Sequence, residues 1–345
     1  MLNLPPVKLD FLKALTDDTA LLQHTKFTTP KKQEGYTTDD NARALIVCIK
    51  YHRVYGGSEV RKLIDIYLSL LLLMQRSDGR FHNLLSYERR FMDQIGSEDC
   101  MGRALWACGH VLNSDLSAEK RLTAKEIFDK GLPWASASPS LRSKASAILG
   151  LCHYQEACPE DQNIAKSIKT LTNQILSNYR LHASADWQWF EPYLTYINGR
   201  LPQALFAAYE KVGDRSYLET GEESLGFILK VQIIDNQFVP IGNNGWYQRG
   251  GQRAMYDQQS VEAFCMTEAT LAAYHATGKE EYREKAQIIF EWFLGRNSKS
   301  VMVYNAETGG CYDGITPSGL NLNQGAEATV SYLLARLDME ALKQR

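Results

Sequence analysis

The chain has 345 residues, of which 44% are hydrophobic, so it carries enough apolar side chains for a large core. Its 38 basic and 40 acidic residues give a formal net charge of -2, and such a balance creates no overall field that would attract a polyanion or an anionic lipid surface. We therefore expect neither nucleic acid nor a membrane as a partner. No linker or low-complexity tract divides the sequence, so we expect one domain over residues 1–345.

The termini and the reactive residues exclude several further classes. Residues 1–6 lack the basic start and the long apolar stretch of a secretory signal peptide, so we expect a cytoplasmic location. The seven cysteines form no CxxC pair and most fall in helical apolar patterns, which indicates buried thiols. Without paired metal-ligand spacing or a nucleotide-binding glycine motif, we expect no metal and no cofactor.

Six segments of the chain read alike, because each runs from a polar loop into a helix of small and apolar residues. They recur at intervals of roughly 45 to 65 residues, the length of one helical hairpin with its loops. The predicted inner helices cover residues 40–55, 99–112, 141–156, 193–212, 258–277 and 324–342. Amphipathic outer helices are predicted at 58–74, 116–132, 161–179, 217–231 and 280–294. Residues 9–24 are predicted to be the helical outer partner that closes a ring of six hairpins. The pattern predicts an all-α (α/α)6 barrel.

The connections in this pattern are unequal in length. The longest ones, residues 75–96, 181–192, 232–256 and 296–323, each precede an inner helix, whereas the return connections are as short as Gly56-Gly57. Long loops in a compact domain are usually functional or structured in themselves. We therefore expect the working face at the N-terminal ends of the inner helices. Four of the seven histidines, at positions 52, 110, 153 and 275, fall near the opposite ends, which disfavours a histidine-based epimerase.

The first inner helix begins with two consecutive acids. Asp39 and Asp40 are followed on the same turn by Asn41 and Arg43. Aspartates at a helix start often serve only as an N-cap or as a favourable charge for the helix dipole. Because capping does not require the arginine, we predict Asp40 as a candidate catalytic carboxylate. Substrate binding is predicted for Asp39, Asn41 and Arg43.

The second inner helix repeats this arrangement. Glu98 and Asp99 begin the helix, and Arg103 follows one turn later. Both acids are predicted as candidate catalytic residues, because paired carboxylates carry out general acid and base catalysis on glycosidic bonds. The starts of the second, third and fourth inner helices also supply substrate-binding arginines, namely Arg103, Arg142 and Arg200.

The string from Asp186 to Tyr193 alternates aromatic and acidic residues within a loop. Aromatic faces stack on the apolar faces of sugar rings, and carboxylates bind the hydroxyls, so we predict that Asp186, Trp187, Trp189 and Tyr193 bind substrate. Glu191 is a predicted catalytic candidate. The alternative is that the tryptophans form a hydrophobic plug beneath the loop, as large aromatic residues often do.

Two further clusters combine acids, aromatic rings and amides, which are groups that suit sugar hydroxyls. In the first of them, Asp257 is placed to cap the fifth inner helix and is the catalytic candidate, while Glu262 lies further along the same helix. The predicted substrate-binding residues are Trp246, Tyr256, Gln258 and Glu262 in the first cluster, and Asn323, Gln324 and Glu327 in the second.

The order of hairpins, together with the sequences of residues 292–297, 309–314 and 323–327, resembles the six-hairpin glycosidase-like (α/α)6 toroids. More narrowly, the chain is similar to a group of such domains that follow a glycosyltransferase domain in some bacteria. The resemblance implies a carbohydrate-active protein with an oligosaccharide or polysaccharide substrate, a hydrolase first, with phosphorylases, lyases and epimerases on the same scaffold. It also implies a glycosyltransferase as a partner. Because one fold hosts many functions, this step is an analogy.

The predicted function is glycoside hydrolysis by a pair of carboxylates. A general acid would protonate the departing oxygen, while a second carboxylate activates water or attacks the sugar carbon. We expect the pair to combine Glu98 or Asp99 with Asp257 or Glu191, and Asp40 is the reserve. Inversion would require the two carboxyl groups to be about 6.5 to 9.5 Å apart.

The alternative is a non-catalytic glycan-binding module that assists a glycosyltransferase. Arginines at positions 43, 103, 142 and 200 would favour it if each pairs with an acid, because paired acids stay ionised and donate protons poorly. Arginine-rich pockets also suit acidic sugars and phosphate, so a uronic acid substrate or phosphorolysis stays open.

Overall fold

The computed structural model describes residues 4–343, and contacts within it divide the chain into two compact units. The N-terminal unit is Leu9–Leu171. The C-terminal unit is Thr172–Arg345 together with Met1–Lys8. The prediction of one domain over the whole chain stays a prediction.

The N-terminal unit is built from helical hairpins. Its helices are α1 (Asp10–Leu15), α2 (Thr38–Tyr55), α3 (Arg61–Met74), α4 (Glu98–Leu112), α5 (Ala118–Ala137), α6 (Leu141–Ala157) and the first half of α7 (Gln162–His182). The predicted hairpins are present, and α2, α4 and α6 are the predicted inner helices. Each of the three begins at an N-cap whose hydroxyl accepts a hydrogen bond from a backbone N–H of the first turn, and these caps are Thr37, Ser97 and Ser140.

Four short strands lie in the loops of this unit. Strand β1 (Thr25–Lys26) pairs with β2 (Thr29–Pro30), and β3 (Tyr36–Thr37) pairs with β4 (Leu84–Leu85), both antiparallel. Because β3 runs directly into α2, its pairing with β4 attaches the long loop before α4 to the start of α2. The loop is therefore fixed over the N-terminal ends of the inner helices.

The prediction of a helix over residues 9–24 is wrong beyond Leu15. The carboxylate of Asp17 accepts hydrogen bonds from the backbone N–H groups of Thr19 and Ala20, at 2.8 and 3.2 Å. Aspartate side chains that bond to the backbone in this way stabilise a turn in place of a helix. The chain consequently reverses after α1.

Inner helices α4 and α6 pack closely through glycines. A Cβ atom on Gly109 would lie 2.3 Å from the carbonyl oxygen of Gly150, and one on Gly102 would lie 2.5 Å from the carbonyl oxygen of Ser143. Both distances are far shorter than a van der Waals contact. Glycine therefore lets the two backbones touch along their length.

The C-terminal unit repeats the hairpin pattern. It contains the second half of α7, then α8 (Arg200–Val212), α9 (Arg215–Gln232), α10 (Ser260–Thr277), α11 (Glu280–Phe290) and α12 (Ala326–Lys343). Its short strands are β5 (Tyr193–Leu194), β6 (Ile233–Ile234), β7 (Gln237–Phe238), β8 (Tyr247–Gln248), β9 (Gln258–Gln259), β10 (Gly314–Thr316) and β11 (Gly319–Asn321). Strands β5 and β8 pair, as do β6 and β7, and β11, β10 and β9 form a three-stranded sheet.

The fourth inner helix begins later than predicted. Tyr193 and Leu194 form β5, and α8 starts only at Arg200. The side chain of Asn198 exchanges two hydrogen bonds with the backbone of Thr195, at 2.6 and 3.1 Å, and so closes a turn ahead of the helix.

Six of the seven cysteines are buried free thiols, and Cys158 is exposed. Within residues 4–343, none of the helices combines the length and the apolar character needed to cross a bilayer.

Candidate active site at the helix starts of the N-terminal unit

The starts of α2, α4 and α6 lie side by side. Arg103 of α4 forms an ion pair with Asp39 of α2. The hydroxyl of Ser143 on α6 donates a hydrogen bond to the backbone oxygen of Glu98 on α4, at 2.7 Å. Polar side chains from three separate helix starts are thus brought together in this unit, as the sequence pattern indicated.

Asp39 is held between two guanidinium groups. Arg43 Nη2 is 3.0 Å from Oδ1 of Asp39, and Arg103 contacts the other carboxylate oxygen. Burial raises the pKa of Asp39, but the charges of Arg103 and Arg43 outweigh this effect and lower the pKa to about 2. Asp39 is therefore ionised at neutral pH and is unsuited to donate a proton.

Asp40 and Asn41 are buried in the start of α2. Asp40 accepts hydrogen bonds from the Thr37 hydroxyl and from Arg43, both at 2.8 Å. The Asn41 amide bonds to the backbone of Leu21 through both its oxygen and its nitrogen. These bonds fix the preceding segment to α2, and neither side chain is accessible to a ligand in this structure, so we leave both out of the proposed site.

Glu98 and Asp99 are partly exposed on the first turn of α4. Oε2 of Glu98 accepts hydrogen bonds from the Ser138 hydroxyl at 2.6 Å and from the backbone N–H of Ser140 at 3.0 Å. Oδ1 of Asp99 accepts one from the Ser140 hydroxyl at 2.8 Å. Serine hydroxyls thus donate hydrogen bonds to both acids of this pair.

A cleft of about 310 Å³ opens beside Glu98. Its walls are mostly apolar, and they include an exposed indole, that of Trp134. Trp134 Nε1 donates a hydrogen bond to the backbone oxygen of Asp78 at 2.7 Å, and the Arg80 guanidinium lies 4.6 Å from the indole ring centre. The apolar lining residues are Phe81, Ile95, Met101, Trp134, Ala137 and Pro139.

Sequence reasoning missed this cleft. Trp134 belongs to the outer helix α5, which carries no acidic or amide cluster near it and gave no functional signal. The long loop of residues 75–96 was expected to be functional, and it supplies Phe81 and Ile95 to the cleft.

The start of α6 contributes two buried cations, Arg142 and Lys144. Burial lowers the pKa of Lys144, and the nearby Glu98 carboxylate opposes this by favouring the protonated amine. Lys144 was not predicted as a site residue.

Two charged residues at the helix starts of the C-terminal unit, Arg200 and Glu262, are buried. Arg200 of α8 forms an ion pair with Glu268 of α10 at 2.7 Å. Glu262 accepts a hydrogen bond from Asn198 at 3.2 Å and has no exposed surface. Arg200 and Glu262 therefore support the fold here, and we leave both out of the proposed site.

The loop of residues 186–193 folds inward. Trp189 is completely buried, and Trp187 is buried with its Nε1 donating to the backbone oxygen of Glu191 at 2.7 Å. Neither indole face is accessible to a ligand, so we omit both from the proposed site; the alternative of a hydrophobic plug describes their placement. Asp186 points outward and pairs with Arg249 at 3.0 Å.

The other predicted residues of this unit divide into two groups. Gln258 is buried and its amide is hydrogen-bonded to Met255, Ser298 and Trp292. Gln324 is also buried and accepts a hydrogen bond from Thr308. The partly exposed group contains Glu191, Tyr193, Trp246, Tyr256, Asp257, Asn323 and Glu327. The catalytic role of Glu191 and Asp257 and the substrate-binding role of the other five residues stay predictions.

Two histidines of the N-terminal unit lie far from these helix starts. His110 and His153 are near the C-terminal ends of α4 and α6, with their ring centres 3.9 Å apart. Burial lowers the pKa of His153, which favours the neutral ring. Both belong to the opposite ends of their helices, as expected from the sequence.

The chain has the all-α fold of the (α/α)6 class, as predicted. It is similar to cellobiose 2-epimerase from Bacillus thermoamylovorans B4167, with a TM-score of 0.77, 12% identity, and coverage of 98% of this chain and 96% of that chain. For a D-mannose isomerase the TM-score is 0.74 at 14% identity, over 97% and 95% of the two chains.

It is also similar to the GH76A α-1,6-mannanase of Salegentibacter sp. HEL1_6, with a TM-score of 0.65, 12% identity and 96% of each chain covered. That mannanase is an inactive variant in which two consecutive aspartates are replaced by asparagine, in complex with α-1,6-mannotriose. At such identities the likeness establishes the fold alone. No protein-family model matches the sequence, and no curated protein matches it either.

Proposed function

We propose that the protein is a carbohydrate-active enzyme that hydrolyses a glycosidic bond at the starts of α4 and α6. The observation that carries this proposal is Glu98, which lines a cleft of about 310 Å³ with Phe81 and Trp134 in its wall and is followed directly by Asp99. Glycoside hydrolysis uses a pair of carboxyl groups, and an aromatic face can stack on the apolar face of a sugar ring. The fold likeness to an epimerase, an isomerase and a mannanase supports a sugar as the substrate.

The two consecutive acid pairs of the N-terminal unit differ in what they can do. The GH76A mannanase is inactive without two consecutive aspartates, which supports a reaction that depends on adjacent acids. Asp39 is held by Arg43 and Arg103 and Asp40 is buried, whereas Glu98 and Asp99 are both partly exposed. We therefore propose Glu98 and Asp99 as the reacting pair of this unit.

The hydrogen bonds suggest a role for Glu98. Its Oε2 accepts two hydrogen bonds, from the Ser138 hydroxyl and from the Ser140 backbone N–H. A carboxyl group that keeps a second oxygen beside an open cleft is placed to serve as a general base that activates water. Hydrolysis also needs a general acid, and Asp99 is the candidate for it within this unit.

A second candidate function is glycan binding without turnover. The observation that favours it is the pairing of Asp39 with Arg43 and Arg103, since these acids and arginines bind sugar hydroxyls as readily as they assist a reaction. In that function the protein would present a glycan to a glycosyltransferase partner.

The test is a screen of manno-, gluco- and uronic acid oligosaccharides, with and without phosphate, on the wild type and on Glu98→Gln and Asp99→Asn. We expect each substitution to lower turnover by about 10²-fold to 10⁴-fold. Glu98→Gln keeps the fold, because the amide oxygen accepts the same bonds from Ser138 and Ser140. Glu126→Gln, an exposed residue of α5, is the matched control and should keep wild-type activity.

The products separate the reactions. Shorter saccharides without phosphate indicate hydrolysis, and sugar phosphates indicate phosphorolysis. An epimer of the same length as the substrate indicates epimerisation. Binding without any product in all conditions would replace the hydrolase proposal with the binding module. Full turnover by Glu98→Gln would remove Glu98 from the proposed reaction.

A further inference from the structure

Lys144 is a nearly buried cation beside the proposed active site. It lies on the first turn of α6 and is 9% exposed. Within residues 4–343 the structure shows no hydrogen bond and no ion pair for its ammonium group. Buried charges in proteins are usually paired, so this one is unusual.

The position of Lys144 links it to the proposed active site. The start of α6 is attached to the start of α4 by two hydrogen bonds, from Ser143 to the Glu98 backbone at 2.7 Å and from Ser140 to the Asp99 carboxylate at 2.8 Å. The Glu98 carboxylate is near enough to Lys144 to favour its protonated form. The ammonium group therefore belongs to the same cluster of helix starts.

The ammonium group of Lys144 keeps its hydrogen-bond donors without an acceptor among the described residues. Arg43 and Arg103 pair with Asp39 and Asp40, and Glu98 is the nearby counter-charge of Lys144 but accepts no hydrogen bond from it. The N-terminal end of α6 adds the partial positive charge of the helix dipole. A helix start with a lysine on its first turn is a favourable place for an anion.

We propose that Lys144, together with the start of α6, binds an anionic oxygen group of the ligand, either the carboxylate of an acidic sugar or a phosphate. The proposal rests on the proposed function in placing the ligand at the same helix starts, and it deepens it by making the substrate, or a co-substrate, an anion. The bound anion would accept the hydrogen bonds that no described residue accepts from the ammonium group.

The test measures thermal unfolding of the full chain in glucuronate, inorganic phosphate or glucose, with sodium chloride used to match the ionic strength. Binding to the folded state raises Tm, and we expect a rise of roughly 3 to 6 °C in glucuronate or in phosphate at a concentration well above Kd. The rise should disappear in Lys144→Met, persist in Lys144→Arg, and persist in the control Lys169→Met, an exposed residue of α7. Glucuronate and phosphate are separate arms, so the one that raises Tm identifies the anion.

Lys144→Met supplies a second readout in the absence of ligand. Removing a buried charge that lacks a partner should raise Tm by a few degrees, with the increase smaller at pH values above about 10.4, where lysine is neutral in the unfolded chain. A folded and more stable Lys144→Met that no longer responds to the anion supports the proposal. Equal shifts in wild type and Lys144→Met, or no shift of the wild type in either anion, overturn it.

The two proposals fail separately. An anion-dependent rise in Tm with no turnover of any saccharide supports the anion site and contradicts the hydrolase. Turnover of neutral saccharides that requires Glu98, with no effect of either anion on Tm, supports the hydrolase and overturns the anion site.

Discussion

The two units use similar helix pairs but place their charges differently. In the N-terminal unit, α4 and α6 pack through glycines, and the charged residues collect at the helix starts, where Glu98 and Asp99 are partly exposed. In the C-terminal unit, Arg200 of α8 and Glu268 of α10 form a buried ion pair between the helices. The N-terminal unit thus has a partly exposed acid pair at the start of α4, next to a cleft that Glu98 lines, and the C-terminal unit has an ion pair that is closed to ligands.

Charged residues that are closed to ligands and charged residues beside a cleft have different roles. A buried ion pair whose partners already satisfy each other holds helices in place and has no surface for a ligand. A carboxylate that keeps one oxygen beside a cleft can still bind or react. We therefore place the chemistry at the starts of α4 and α6, and we assign a structural role to the buried ion pair of α8 and α10.

The largest expected effect is the loss of one partner of the buried pair. Glu268→Ala leaves the Arg200 guanidinium buried without its carboxylate, which should lower the free energy of unfolding by about 3 to 5 kcal/mol. Urea denaturation measures the change. The control is Glu222→Ala, which removes a more exposed pair with Lys279 and should cost less than about 1 kcal/mol. Equal costs for the two variants would contradict the structural role of the buried pair.

The next effect concerns the glycine contact of the N-terminal unit. In Gly109→Ala, the new methyl group meets the carbonyl oxygen of Gly150 at 2.3 Å, so α4 and α6 must separate. Overpacking of this kind typically costs about 1 to 3 kcal/mol. Denaturation should show that loss, and saccharide turnover should fall as well, because the starts of the two helices carry the proposed site. Unchanged stability would mean that the helices can move apart without cost.

Asp39→Asn tests the arginine-held acid through its dependence on pH. The pKa of Asp39 is lowered to about 2, so its ionised form stabilises the folded state above the unfolded pKa of about 3.9, and this contribution is lost as the pH falls through 2. At pH 7 the substitution should cost about 2 kcal/mol. The difference between wild type and variant should shrink between about pH 4 and pH 2. A difference independent of pH over that range would show that the carboxylate charge does not stabilise the fold.

The helices and the acids at their starts were predictable because the signals are local. Apolar spacing, glycine ends and acids before helices predicted the hairpins, and the acids Glu98 and Asp99 were placed correctly at the start of α4. Helix bounds were predicted less well where a side chain forms a turn. Asp17 and Asn198 form hydrogen bonds to the nearby backbone, so α1 ends earlier and α8 begins later than predicted.

The rest depends on packing that spacing does not encode. Residues 141–152 of α6 are buried on every face, so periodicity gives no reason to single out Lys144. The string that holds Trp187 and Trp189 reads the same whether the loop stacks on a sugar or folds beneath the surface. Arg200 and Glu268 are 68 residues apart in sequence, and their pairing appears only in the folded chain.

The smallest expected effect has the opposite sign and completes the test of the glycine contact. Gly226 lies inside α9, and a Cβ atom added there would meet nothing within 4 Å. Because alanine restricts the unfolded chain more than glycine does, Gly226→Ala should raise the free energy of unfolding by about 0.5 to 1 kcal/mol. The two variants separate the effect of placing alanine in a helix from the effect of contact with a second backbone. Both replace a helical glycine by alanine, but only Gly109 touches another helix. If Gly226→Ala also destabilises the protein, the loss in Gly109→Ala could not be attributed to contact between α4 and α6.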